Sequence, residues 1–323
     1  VGEFDLAIGA HHNNNWRHTM PLHFPRRLTS LAATVATLTL GWIGPAQATE
    51  GGGTTAAAGT EGFLAGALPP PGTYGLLYAN HYQADRFNDG QGNSAIPGFK
   101  VRADVLVGRV VHMTGTTLLG GQLGFYGVLP LVKLKVQAAG ASDSRTGFGD
   151  IEAASLLAWH GPQWHTAAAL AVVLPTGSYS ATRMANPGNN ITTLRPVVVA
   201  SYLTESGLDL STKLTYSINR KNSDTDYKSG QYLHADFNAG MRVAPAWQVG
   251  LQGYLIHQTT DDRQNGITAG PDGNRTRVLA LGPALRWQTS PAAPSVELRW
   301  LKEIRARNHT KGDALWLKAV WAL

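Results

Sequence analysis

The stretch Leu208–Gln258 reads LDLSTKLTYSI (208–218), RKNSDTDYKSGQ (220–231), YLHADFNAGMRV (232–243), Pro245-Ala246, then WQVGLQGYLIHQ (247–258). Three runs of roughly eleven residues alternate apolar and polar side chains, the mark of a strand with one apolar and one polar face. One break is long and polar; the other is a two-residue turn. Hairpins whose two ends differ in this way are the pattern of an up-and-down transmembrane β-barrel. The spacing predicts Leu208, Leu210, Leu214, Tyr216, Ile218, Leu233, Phe237, Met241, Val243, Trp247, Val249, Leu251 and Leu255 on the lipid side. A soluble sandwich uses strands nearer five or six residues, about half this length.

The same rhythm predicts twelve strands at 73–84, 99–112, 116–136, 149–160, 164–175, 191–204, 208–219, 231–244, 247–260, 275–288, 295–307 and 312–323. Short breaks fall at Met113–Gly115, Gly161–Gln163, Glu205–Gly207, Pro245–Ala246 and Thr289–Pro294; longer ones fall at 85–98, 137–148, 176–190, 220–230 and 261–274. An even strand number returns the chain to the short-turn side, which faces the periplasm in bacterial barrels. Trp159, Trp164, Trp247, Trp287, Trp300 and Trp321 fall near turns or termini, where Trp favours the headgroup level. Lys302 shares a face with Leu298 and Trp300, which calls for a bulge or an interface position.

Composition agrees. Net charge is +6, there is no cysteine, and mean hydropathy is −0.14. A barrel spreads its apolar residues over one strand face, so its average stays near neutral. The basic residues are dispersed without a nucleic-acid module, so no nucleic-acid partner is expected. Residues 1–19 form an upstream segment without targeting logic. From Met20, a basic pair (Arg26, Arg27), an apolar run (Leu28–Ile43) and Ala46-Gln47-Ala48 predict a signal peptide over 20–48. Residues 49–72 are expected to hang in the periplasm or enter the pore; the barrel takes 73–323.

Three loop motifs stand out in order: Gly147-Phe148-Gly149-Asp150, Pro175-Thr176-Gly177-Ser178-Tyr179 and Asn186-Pro187-Gly188-Asn189-Asn190, with a later Tyr227-Lys228-Ser229-Gly230. With the stretches around them, the sequence resembles the SphA-like outer-membrane channels linked to the meta-pathway of phenol and aromatic degradation, over roughly 62–323. The resemblance implies a single-chain barrel for passive uptake of small, rather hydrophobic compounds. Read without it, Pro175-Thr176-Gly177 ends a strand, and Gly147 and Gly149 mark a strand entry with close packing.

Charged residues at polar strand positions are the pore-lining candidates: Arg102, Asp104, Asp150, Glu152, Asp209, Lys213, His234, Asp236, Arg242, Glu297, Arg299, Glu303 and Arg305. Most are expected to pair between strands, because buried charges must pair or stay hydrated. Loops 176–190 and 261–274 supply gate candidates Tyr179, Met184, Asn189 and Ile267. No nucleophile elbow, zinc-protease helix or phosphate loop is present, and no cofactor or metal is expected. His160 and His165 flank a turn without an obvious third ligand. A lipid-facing Ser–His pair would indicate a phospholipase, but parity turns Ser211, Ser217 and His234 into the lumen. The expectation is a monomeric outer-membrane channel, inserted by the barrel assembly machinery, contacting lipid and passing small hydrophobic or aromatic solutes. The alternative is a plugged structural or adhesin barrel that does not conduct.

Overall fold

A computed structural model describes Glu50 and residues 54–323. The upstream segment and the signal peptide lie outside the described residues. The strands are β1 (Gly72–Asn88), β2 (Lys100–Leu118), β3 (Gly121–Ala138), β4 (Ala141–Phe148), β5 (Ile151–His160), β6 (Trp164–Leu174), β7 (Thr193–Leu203), β8 (Leu208–Asn219), β9 (Tyr227–Lys228), β10 (Tyr232–Ala244), β11 (Trp247–Gln258), β12 (Arg263–Gln264), β13 (Ile267–Thr268), β14 (Arg277–Trp287), β15 (Ser295–Arg307) and β16 (His309–Ala322). Every pairing in the large sheet is antiparallel, and β1 pairs with both β2 and β16, which closes it. β4 and β5 lie end to end along β3, so among the described residues the wall has twelve staves. β9, β12 and β13 form a separate three-stranded sheet within the long loops.

Two strand limits differ from the sequence reading. Residues 141–148, expected in a loop, form β4, joined to β3 by the two-residue turn Ala139-Gly140, both at positive φ. The segment ASDSRTGF has almost no apolar face, so hydrophobic alternation does not reveal it. The β2–β3 turn lies at Leu119-Gly120, not Met113–Gly115, because β2 continues past an irregularity between Met113 and Thr117.

The outward face is apolar through the middle: Leu106, Val110, Leu129, Leu210, Val249, Leu251, Leu298 and Leu315 are all substantially exposed. Such a continuous belt needs an apolar surrounding. At the short-turn end the outward positions carry a girdle in which Trp164 packs on Tyr202 and Trp247 on Trp287, at ring separations of 5.0 and 6.4 Å. β1 to β3 run 17 to 19 residues, far beyond the ~10 that a tilted strand needs to cross a bilayer. Their long-loop ends therefore project above the belt. Lys302 sits level with that upper edge, beside Asp313.

Leu251 faces outward near the middle of β11 and is 53% exposed. Leu251→Arg is expected to cost about 2–4 kcal/mol, read from reversible urea unfolding of the barrel in phospholipid vesicles.

Candidate functional site: the lumen and the segment inside it

Glu50 lies among the long loops, and residues 54–71 pass through the barrel interior to the short-turn end. Glu50 accepts hydrogen bonds from Tyr179 Oη and Asn222 Nδ2, at 2.8 and 2.6 Å, among the long loops. Lower down, the Ala56 amide donates to Tyr232 Oη (2.9 Å). The Gly59 and Glu61 amides both donate to the Asp236 carboxylate, at 2.7 and 3.1 Å. The Phe63 amide donates to Glu297 (3.1 Å), Leu64 to Asp209 (2.9 Å) and Gly66 to Ser201 Oγ (2.8 Å). Outside the turn at 64–68, where Ala67 and Leu68 donate to Leu64 and Gly66, the segment's amides have no strand partner, and a buried unsatisfied amide costs roughly 1–3 kcal/mol. Wall carboxylates and hydroxyls on four staves, β7, β8, β10 and β15, take that role.

Side chains fasten the same segment. Glu61 bridges Arg109 on β2 and Lys318 on β16, at 2.7 and 2.9 Å, with all three largely buried. The Phe63 ring fills a slot over Gly240 and Gly250, which face each other across β10 and β11. A Cβ at Gly240 would lie 2.4 Å from that ring, so the slot exists only because both positions lack side chains. Leu64 adopts φ 57°, a left-handed conformation that costs a bulky residue roughly 1–2 kcal/mol.

Of the charged candidates, Glu152, Asp209, Lys213, His234, Asp236, Glu297, Arg299 and Glu303 face the interior. Glu152 pairs with Arg195 and accepts from Tyr126 Oη. Glu303 accepts from Tyr82 and Tyr254, and Arg299 lies 3.4 Å from Glu297. Arg242 stands exposed at the short-turn rim, opposite Gln248. His234 reaches Asp236 at 2.8 Å and Thr215 at 3.3 Å, while Ser211 and Ser217 are buried in the interior. His160 and His165 approach to 3.0 Å, and no third metal-binding side chain joins them among the described residues.

Three candidates lie outside. Arg102 and Asp104 share the outward face with Leu106 and Val110, and Asp104 pairs there with His81 at 2.6 Å. The sequence reading took polar positions as inward, but apart from Arg109 the inner face of β2 is apolar (Val101, Ala103, Val105, Val107, Val111), so its parity is inverted. Arg305 is turned out by a register shift: Glu303 pairs with Ala280 while Arg305 pairs with the outward Leu279. Sequence reasoning missed Glu61, Arg109, Arg195 and Lys318. The even-numbered alternation of β16 signals Lys318; nothing local signals Glu61.

Asp150 sits at the break between β4 and β5 and is a fastener. Its carboxylate accepts from the Gly177 and Asn189 amides, at 2.9 and 2.7 Å. Gly177 and Gly188 pack so closely that a Cβ on either would meet the other's backbone at 2.7 Å. The three loop motifs thus form one clamp that holds loop 176–190 over the wall. In that loop Tyr179 binds Glu50, and burial raises its phenol to about 12, so it stays a donor at any physiological pH. Met184 is partly exposed, and Ile267, on β13, is 74% exposed in the outer sheet.

Beside the inserted segment the interior leaves space. A cavity of about 680 Å³ opens at the short-turn end, lined by Leu64, Leu68, Val111, Leu156, Val197 and Val199, with Arg286 at the rim and Lys213 deeper in. Another of about 360 Å³ lies toward the long loops. Between them is a neck of about 70 Å³, which borders both spaces through Arg109, Tyr126, Glu152, Arg195 and Lys213. An apolar cavity of about 150 Å³ is large enough to take a benzene ring. Both outer spaces exceed that size and the neck does not.

Gly240→Val should drive the Phe63 ring from its slot, at a cost of about 1–3 kcal/mol to docking of the segment. Limited proteolysis should then cut within 54–68 faster than in the parent, with the barrel body still resistant.

Across residues 84–319 the chain matches the model of a family described as putative MetA-pathway of phenol degradation. The crystal structure of an outer membrane channel from Pseudomonas putida F1 superposes with a TM-score of 0.71, at 16% identity, over 79% of this chain and 97% of that one. At that identity the likeness establishes the fold. The translocator domain of the autotransporter NalP from Neisseria meningitidis gives a TM-score of 0.48 at 10% identity, covering 79% and 90%, too low to carry an argument. No curated protein matches the sequence. The match over most of the chain places this protein in the family of the putative MetA-pathway of phenol degradation.

Proposed function

We propose that this protein is an outer-membrane channel for the passive uptake of small hydrophobic or aromatic compounds, gated by residues 54–68. The observation that carries the reading is the lumen itself: two solute-sized spaces, about 680 and 360 Å³, separated by a neck of about 70 Å³ whose inner side is the inserted segment. The inner faces of β2 and β3 support a hydrophobic solute. Val105, Val107, Val111 and Val128 give it an apolar wall to follow, while the carboxylates gather on the opposite side and hold the segment. Family membership points the same way, toward catabolism of phenolic compounds. A neck below ring size means that passage requires the segment to shift toward its own wall or partly undock. Diffusion down the gradient then needs no energy source. The fold is expected to work as a monomer, since the barrel closes on itself.

Removing residues 54–68 should raise single-channel conductance severalfold and speed liposome swelling with neutral aromatic solutes. Unchanged conductance would reject the segment as gate, and absence of any swelling in parent and deletion alike would favour a structural barrel. Glu61→Gln leaves Arg109 and Lys318 facing a neutral group; loss of one partner of a buried ion pair costs about 3–5 kcal/mol. That variant should show more frequent open events in planar bilayers.

A further inference from the structure

The outward surface carries a second feature that passage through the lumen does not use. Above the apolar belt, on the long-loop side, neighbouring strands place one transverse row of side chains: Lys135 on β3 beside Arg102 on β2, then Gln83 on β1, Asp313 on β16 and Lys302 on β15. The next row toward the loops adds Lys100, Asp85 and Lys311, with Arg86 close by. Together they line a groove of about 810 Å³ containing six cations and two outward carboxylates, Asp85 and Asp313. Glu303 also borders it but turns inward to Tyr82 and Tyr254. Among the described residues none of the six cations has an ion pair. Five adjacent staves at about 4.8 Å spacing make the row about 19 Å wide, the scale of a lipid headgroup rather than of a single ion.

We propose that this groove binds the phosphorylated sugar headgroup of an outer-leaflet glycolipid of the lipid A type. The inference rests on placing the barrel in an outer membrane with its long loops outside. Three observations select that occupant. Directly below the row stand Lys133, Asp104, His81, Leu315 and Trp300, and exposed Leu131, Leu106 and Leu298 follow one row further down, so acyl chains hanging from a seated headgroup reach the apolar wall past one mixed row. Unpaired cations side by side repel one another, and phosphate groups would remove that cost. The cations of the groove stand on the staves β15, β16 and β1 to β3, and Arg277 on the adjoining β14 extends the outward basic arc. The outward positions of β6 to β8 near the same end are Leu174, Leu194, Pro196, Tyr216 and Ile218, and the opposite end carries tryptophans. Snorkelling to a general headgroup layer would spread basic residues around the whole rim.

The test uses the full barrel in neutral detergent, with binding measured by calorimetry and by native mass spectrometry. The probes are bisphosphorylated lipopolysaccharide, the same lipid after enzymatic dephosphorylation, and inorganic phosphate. The parent should bind the phosphorylated lipid at least about tenfold more tightly than the dephosphorylated one. The combined variant Arg102→Gln, Lys135→Gln, Lys302→Gln, Lys311→Gln should lose about tenfold or more, and Lys228→Gln with Arg263→Gln on the outer sheet should match the parent. Equal binding by parent and combined variant overturns the proposal, as does equal binding of the dephosphorylated lipid. Full competition by inorganic phosphate would assign the groove to the free anion and overturn the lipid. If the combined variant does not show the heat-modifiable gel shift of a folded barrel, Lys302→Gln with Lys311→Gln serves instead, with a threefold or greater loss expected and parent-like binding overturning the proposal. Conductance in phospholipid-only bilayers is read separately. The substituted residues are outside the lumen, so a lipid-binding defect with normal conductance leaves the channel reading intact, and absent conductance in every form would fail that reading alone.

Discussion

Everything in this molecule follows from one constraint: a backbone surrounded by apolar medium must satisfy its amides and carbonyls internally. A sheet does this only by closing, and here β1 completes the ring by pairing with β16 on one side and β2 on the other. Closure makes every strand two-sided. One side must be apolar across the belt; the other is free to be polar or apolar as the interior demands. The aromatic girdle, the tight turns at one end and the large loops at the other are arranged around that requirement.

The same rule applies a second time inside. Residues 54–68 are not in the sheet, yet their backbone runs through an interior with little access to water. Asp236, Glu297, Asp209 and Ser201 accept the amides that no strand partner takes. Buried carboxylates need compensation in turn, and the amides, with Arg299 near Glu297 and His234 against Asp236, supply it. Segment and wall are therefore mutually dependent: without the segment, the carboxylates Asp209, Asp236 and Glu297 each lose a backbone donor and keep only their wall partners. The acids gather beside the segment while β2 and β3, apart from Arg109 that holds Glu61, keep an apolar inner face.

The loop motifs behind the family resemblance serve the same architecture. Asp150, Gly177, Gly188 and Asn189 come from distant stretches of sequence and meet as one clamp at the discontinuity between β4 and β5. Their small side chains are demanded by backbone-to-backbone contact, and their polar groups by the amides left open where the stave breaks. Tyr179 in the same loop meets Glu50, so the clamp also positions the upper end of the inserted segment.

The sequence alone determined the barrel, its twelve staves, which end carries the short turns, and the outward face of β8, β10 and β11, because alternation with a period of two is a local property that survives any tertiary arrangement. It also placed Asp209, His234, Asp236 and Glu297 inward. It did not reveal β4, whose polar residues project above the belt where neither face must be apolar. Arg102 and Asp104 were assigned to the wrong side because alternation reports that two faces differ, not which one meets lipid when the lumen wall is itself apolar. Arg305 was misplaced by one register shift, which inverts all that follows it. The role of Glu61 was illegible for a different reason: its partners Arg109 and Lys318 are 48 and 257 residues away. Contacts at that separation exist only once the barrel has closed around the segment, so the wall belongs to the sequence and the passage to the tertiary structure.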